Sequence, residues 1–242
     1  MNLPTKAYFL PIVFLLISGC ETAPKIDTAI VEPNDSFDLF ASADCCESIE
    51  NINIEPIAKS ATVNFSLSEN PKKLKTGDNR SFYRAFEISE EGRVLDYNLR
   101  TFITKNKQTK ERFALMPIVA VLNEDLTISR TSSLRYLSYN QWTVWGQQEH
   151  FNLYIRINKN ERPKEKYILV ITPESLLGKG YVYQSGGSGG SVIAIPTGDG
   201  TIFVPSGGSP SEVFTVSPTP TGILSLEHIT NPLNKPLGRL GW

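Results

Sequence analysis

The chain is expected to fold as a mainly β protein: an antiparallel, jelly-roll-like β-sandwich with one or two short helices and a flexible N-terminal tether. Three observations predict it. Several segments alternate apolar and polar residues with period two, as in Leu95-Asp96-Tyr97-Asn98-Leu99, which puts one strand face on a core and the other in water. Two runs, Phe113 to Leu122 and Tyr167 to Ile171, are almost wholly apolar and read as central strands buried on both faces. Charged or Gly/Pro-rich turns separate roughly nine such runs, and helical periods are few, the pattern of all-β sandwiches.

Residues 1 to 19 read as a lipoprotein signal peptide. Lys6 gives a weakly positive start, Ala7 to Ile17 an apolar stretch shorter than a membrane span, and Ile17-Ser18-Gly19-Cys20 closes it. Small residues at Ser18 and Gly19 admit a peptidase, and the Cys20 thiol takes a thioether-linked lipid. The bland alternative is an ordinary secretory signal with a chance cysteine. Several acyl chains on Cys20 hold a protein to a bilayer, since each buried CH₂ is worth ~0.8 kcal/mol. Glu21 follows, and the lack of Asp at that position favours the outer membrane over the inner. The expected place is therefore the periplasm, anchored to the outer membrane. Lys+Arg 24 against Asp+Glu 25 leaves a net charge of −1, which does not suggest a nucleic-acid partner.

Residues 20 to 43 read as a lipidated tether, broken by Pro24, Pro33, Asn34 and Asp35. The sandwich is expected over 44 to 230. Asp44 and Glu47 have capping-box spacing for a short helix from about Cys45 to Asn51. Strands follow around Val63 to Leu67, Phe82 to Ile88, Leu95 to Thr101, Phe151 to Ile157 and Tyr167 to Ile171. Thr172 and Pro173 are placed to cap and begin one helical turn that Gly178 ends. From Gln184 the sequence QSGGSGGS reads as flexible, opening a Gly/Ser-rich insertion near 184 to 211. The last strands are expected at 212 to 216 and 222 to 229, and 231 to 242 form a tail.

The chemistry suggests no enzyme and no cofactor. His150 and His228 are the two histidines, each in or beside a strand, where packing is the commoner role. There is no HExxH and no CxxC, and Gly186 to Gly190, which spells G-x-S-x-G around Ser188, opens no expected helix and lacks the Lys-Ser/Thr of a phosphate loop, so no catalytic or metal residue is assigned. Cys45 and Cys46 are neighbours in an oxidising compartment. They read either as small packed residues or an intermolecular bridge, or as a vicinal disulfide closing a strained ring. Tyr136, Tyr139, Trp142 and Trp145 form an aromatic cluster, with Asn140, Gln141, Gln147 and Gln148 beside it. Flat rings stack on sugar faces and amides bond hydroxyls. The plainer reading makes these rings cover the core.

Four segments carry a resemblance: Ile52 to Ile57, FALMPIVAVLNEDL from Phe113, YILVITPESLLGKG from Tyr167, and TPTGILSL from Thr219. In this order they resemble the maltose-operon periplasmic proteins (MalM-like), over about residues 45 to 229. The resemblance implies an envelope protein expressed with maltodextrin uptake and supplies no site residues. The functional expectation is a non-catalytic, lipid-anchored periplasmic protein assisting maltose or maltodextrin transport, by weak sugar binding or by contact with an outer-membrane porin. The alternative is a structural envelope lipoprotein that binds a protein partner and no sugar.

Overall fold

The computed structural model describes residues 46, 48–57, 63–66, 72–76, 79–88, 92–106, 108–140, 148–186, 191–197, 200–206, 210–220 and 222–230. Cys20, Cys45, Trp142, Trp145, the signal and tether segments and the C-terminal tail lie outside them. The strands are β1 (Ile54–Pro56), β2 (Val63–Ser66), β3 (Lys72–Thr76), β4 (Asn79–Glu87), β5 (Val94–Lys105), β6 (Arg112–Leu115), β7 (Ile118–Asn123), β8 (Ile128–Thr131), β9 (Ser138–Asn140), β10 (His150–Asn158), β11 (Glu165–Pro173), β12 (Tyr181–Gly186), β13 (Ser191–Thr197), β14 (Gly200–Ser206), β15 (Pro210–Thr219) and β16 (Ile223–His228). One sheet has six strands, ordered β1-β4-β11-β7-β8 with β3 also on β4. The other has ten, ordered β13-β14-β12-β15-β6-β5-β10-β9, with β16 joining β5 to β2. The two sheets pack as a sandwich around one apolar core drawn from both, including Phe82, Phe86, Val121, Ile168, Val170, Leu99, Phe151, Ile155, Tyr183 and Leu226. Most pairs are antiparallel, but β1–β4, β12–β14 and β15–β6 run parallel.

The apolar stretch Phe113 to Leu122 is two strands, not one. β6 pairs with β5 and β15 in the larger sheet, whereas β7 pairs with β11 and β8 in the smaller. Met116 and Pro117 join them. Pro117 has no N–H for a ladder, so the strand breaks there and crosses between sheets. Of the other strand-like runs, Tyr167 to Ile171 flanks β7, whereas Phe151 to Ile157 pairs with β5 and β9.

β11 is the centre of the smaller sheet, between β4 and β7, and both its faces are covered. Ile168 and Val170 enter the main core, while Leu169 lies in a second apolar cluster on the sheet's other side with Tyr83, Ala85, Leu122, Ile52 and Cys46. Cys46, Ile49, Ile52 and Ile54 cover that cluster, while Ile57 reaches the main core. The expected helix from Cys45 is reduced to a 3₁₀ turn at Ile49–Asn51, capped by Ser48, whose Oγ accepts from the Glu50 N–H at 3.0 Å. Cys46 is extended instead, because its backbone accepts from Lys75 N–H (2.9 Å) and donates to Lys73 O (3.3 Å). Its sulfur is disulfide-bonded, to a cysteine outside the described residues. With no thiol proton to give, Cys46 Sγ is an acceptor for the Tyr83 hydroxyl 3.2 Å away, and that hydroxyl accepts from the Asn53 N–H at 3.1 Å.

Two further expectations change. Thr172 is still strand, its Oγ1 donating to Pro220 O at 3.4 Å, so Pro173 takes the cap position of the 3₁₀ turn Glu174–Leu176. The Gly/Ser-rich insertion is built of strands: Gln184 to Gly186 complete β12, and β13 and β14 form a hairpin registered from Ser191↔Ser206 to Thr197↔Gly200. Val192, Ile193, Ile195, Ile202 and Val204 are strand formers.

Candidate functional site

The sequence-predicted aromatic cluster divides. Tyr139 on β9 turns inward, its ring 5.8 Å from Phe151 and 4.8 Å from Phe214. Tyr136 ends the 3₁₀ turn Leu134–Tyr136, half-buried against the core, its hydroxyl accepting from Arg135 Nη2 at 2.9 Å under a guanidinium 4.8 Å from the ring centroid. Both are packing residues in this fold. Gln148 donates its amide to Ile103 O at 2.8 Å, which holds the start of β10 rather than a ligand. Asn140 is exposed at the sheet edge.

A different set of side chains meets on the outer face of the larger sheet. Alternation sends Leu95, Tyr97, Leu99 and Phe151, Leu153, Ile155 into the core. It must then send Asp96, Asn98, Arg100 and Asn152, Tyr154, Arg156 outward. The register sets Arg156 beside Asp96, Tyr154 beside Asn98 and Asn152 beside Arg100 across β5–β10, and Glu227 beside Asn98 across β5–β16. These short cross-strand separations let the side chains pair. Arg156 grips Asp96 with two hydrogen bonds, Nε to Oδ1 at 2.8 Å and Nη2 to Oδ2 at 3.3 Å. Arg100 reaches Glu227 at 2.7 Å. Asn98 donates to Asn152 Oδ1 at 3.1 Å, while its own Oδ1 is buried and accepts no hydrogen bond.

The electrostatics follow from these pairs. The Asp96 carboxylate raises the Arg156 guanidinium above its ordinary range, against the pull of desolvation. Burial raises the Tyr154 phenol, with Arg100 opposing and Glu227 adding to it, so Tyr154 is a neutral donor and acceptor. At the other end of β10, burial lowers His150, and the Gln148 carbonyl against its Nδ1 at 2.8 Å raises it in part. His150 is therefore neutral above its lowered range, packed near Phe102 at 6.0 Å between ring centroids. His228 stands 5.1 Å from the Tyr97 ring. The face thus carries two guanidiniums and two carboxylates that neutralise one another, plus amides and a phenol. Asp96, Asn98 and Asn152 are themselves buried, at 3%, 4% and 5% exposure, so what this face presents without net charge is the half-buried Tyr154 and the paired Arg100, Arg156 and Glu227. Among the described residues no three His, Cys, Asp or Glu side chains stand together as a metal site.

Sequence reading placed Asp96, Asn98 and Arg100 on a solvated face and did not single them out. The available signal was that the outward positions of β5 carry Asp96, Asn98 and Arg100 and those of β10 carry Asn152, Tyr154 and Arg156, side chains richer in planar hydrogen-bonding groups than a merely solvated face needs. Comparison with protein-family models, curated proteins and solved structures finds no match for this chain.

Proposed function

We propose that this chain is a non-catalytic, lipid-anchored periplasmic protein of the maltose-operon type that assists maltodextrin transport by weak sugar binding. The observation that carries the reading is the self-neutralised outer face on which Tyr154 and the paired Arg100, Glu227 and Arg156 are half-buried, over the buried Asn98–Asn152 pair. Sugar hydroxyls are neutral donors and acceptors, and such a face meets them without a charge penalty. The Ile17 to Cys20 motif supports the anchor, and the four resembling segments support the maltodextrin context.

Thermal unfolding and calorimetry with maltoheptaose test it. Sugar at 100 times its dissociation constant adds about 2.7 kcal/mol to stability. The expected result is a rise in Tm for the wild type, reduced in Tyr154→Ala and unchanged in Trp142→Ala/Trp145→Ala. Loss only in the tryptophan variant moves the sugar to the 136–145 segment. No shift in the wild type, together with crosslinking to an outer-membrane protein, replaces the reading with a structural lipoprotein that binds a protein partner.

A further inference from the structure

A second concavity has the opposite electrostatic character. At the end of the sandwich where β5 begins, Arg93, Glu124, Lys159, Lys164 and Lys166 line a cavity of about 460 Å³. Its walls come from three connections: the turn before β5, the β7–β8 turn and the β10–β11 segment. Backbone hydrogen bonds stitch them together, Lys159 N–H to Arg93 O at 2.7 Å and Glu124 N–H to Lys164 O at 2.9 Å. The cations are unequally matched. Lys166 lies 3.3 Å from a Glu87 carboxylate oxygen. Lys159 Nζ donates to the backbone carbonyl of Glu165, which fixes the ammonium in place and leaves its charge whole. Arg93 and Lys164 have no ion pair with a described carboxylate, and neither has Glu124. Asp125, the next acid along, accepts from Thr127 Oγ1 and N–H at 2.6 and 3.1 Å and keeps its charge, part of which acts on Lys164. Glu90 and Glu91 precede this turn in the sequence and lie outside the described residues. Among the described residues Arg93, Lys159 and Lys164 outnumber Glu124 and Asp125 by one positive charge in a concave, stitched site.

We propose that this cavity binds a phosphate-bearing ligand. A phosphate group brings one to two negative charges and oxygens in a tetrahedral array, matching the excess positive charge and three donors, Arg93 from the turn before β5 and Lys159 and Lys164 from the β10–β11 segment. The volume admits a phosphate with a small polar group such as glycerol attached. This site is independent of the sugar reading: one can fail without the other.

Calorimetry on the full chain tests it, with three probes: inorganic pyrophosphate, dihexanoyl phosphatidylglycerol below its micelle concentration, and dihexanoyl phosphatidylcholine as the zwitterionic control. The expected result is binding of at least one anionic probe, weakened about tenfold or more in Lys159→Gln/Lys164→Gln and falling with added salt. Arg93→Gln, an exposed position outside the strands, is expected to weaken it alone and guards against misfolding of the double variant. Pyrophosphate binding points to a free phosphate ligand, and phosphatidylglycerol binding without pyrophosphate points to a lipid headgroup. Binding of neither anionic probe, equal binding of the choline lipid, or unchanged affinity in both variants overturns the proposal.

Discussion

Among the described residues, two that are not glycine hold left-handed backbone conformations that L side chains adopt reluctantly, and they make a matched pair. Lys110 has φ 62° in the β5–β6 turn and Leu126 φ 63° in the β7–β8 turn. Each turn is held by an Asx contact: Asn106 Oδ1 accepts from Gln108 and Thr109 N–H (2.9 and 3.3 Å), and Asp125 Oδ1 accepts from Thr127 N–H (3.1 Å). Those contacts determine the turn, and the left-handed residue follows from it. Lys110 is exposed, so Lys110→Gly relieves the strain at no packing cost and is expected to stabilise by about 0.5–1 kcal/mol in urea unfolding. Leu126 also packs against the outer apolar cluster. Leu126→Gly exchanges that contact for the same relief and should give no gain. Equal gains in both would mean that the Leu126 packing is worth nothing. Asp125 is held below its usual range chiefly by the Thr127 hydroxyl, with Thr127 N–H and Lys164 assisting.

At the scale of elements, two irregular pairings converge on one buried carboxylate. The β7–β8 register shifts between Val121 and Leu122, and the β7–β11 register between Glu165 and Tyr167. Such bulges re-aim side chains. Here Ser129 Oγ and Arg130 Nε both donate to Glu165 Oε1 at 2.8 Å, with Arg130 Nη2 at 3.2 Å from Oε2. Glu165 is 0% exposed, so Arg130→Met leaves its carboxylate with only the more distant Arg162, at 3.9 Å, as a cationic partner and is expected to cost about 3 kcal/mol, while Arg130→Met/Glu165→Leu recovers most of that. A double variant as unstable as the single one would show that the loss is steric. None of this was legible in the sequence, where Glu165 sits in a charged loop between Lys164 and Lys166. Alternation did expose the faces of β5 and β10, because one side of each is apolar throughout. It failed at Phe113 to Leu122, since an apolar run says that a strand is buried but not in which sheet. It failed also at β13 and β14, where Gly/Ser flanks and Pro196 and Pro205 masked a hairpin lying at the far edge of its sheet. The aromatic cluster was visible, but only the fold showed that Tyr139 faces the core and that the outward polar residues of β5, β10 and β16 meet.

For the whole molecule, burial raises the phenols of Tyr154, Tyr181 and, most of all, Tyr183, which Tyr181 also raises. A raised acid keeps its proton in the folded state, so above about pH 10 the unfolded chain ionises first and binds fewer protons. This stabilisation is complete below pH 10 and is lost as pH climbs through that range. Urea midpoints from pH 8 to 11 are expected to fall, less steeply in Tyr183→Phe, and identical slopes would refute the assignment. The same sandwich core has a mechanical side. From Leu115 to Ile118 there are three Cα steps of about 3.8 Å, so the crossing through Met116 and Pro117 reaches at most about 11 Å, while packed sheets stand about 10 Å apart. The connection is nearly taut. It forbids the two sheets from sliding past each other or parting by more than a small distance unless the β6 or β7 ladder gives way first. Large movements in this fold are therefore left to its loops, and the paired side chains on the outer face of the larger sheet hold a fixed spacing.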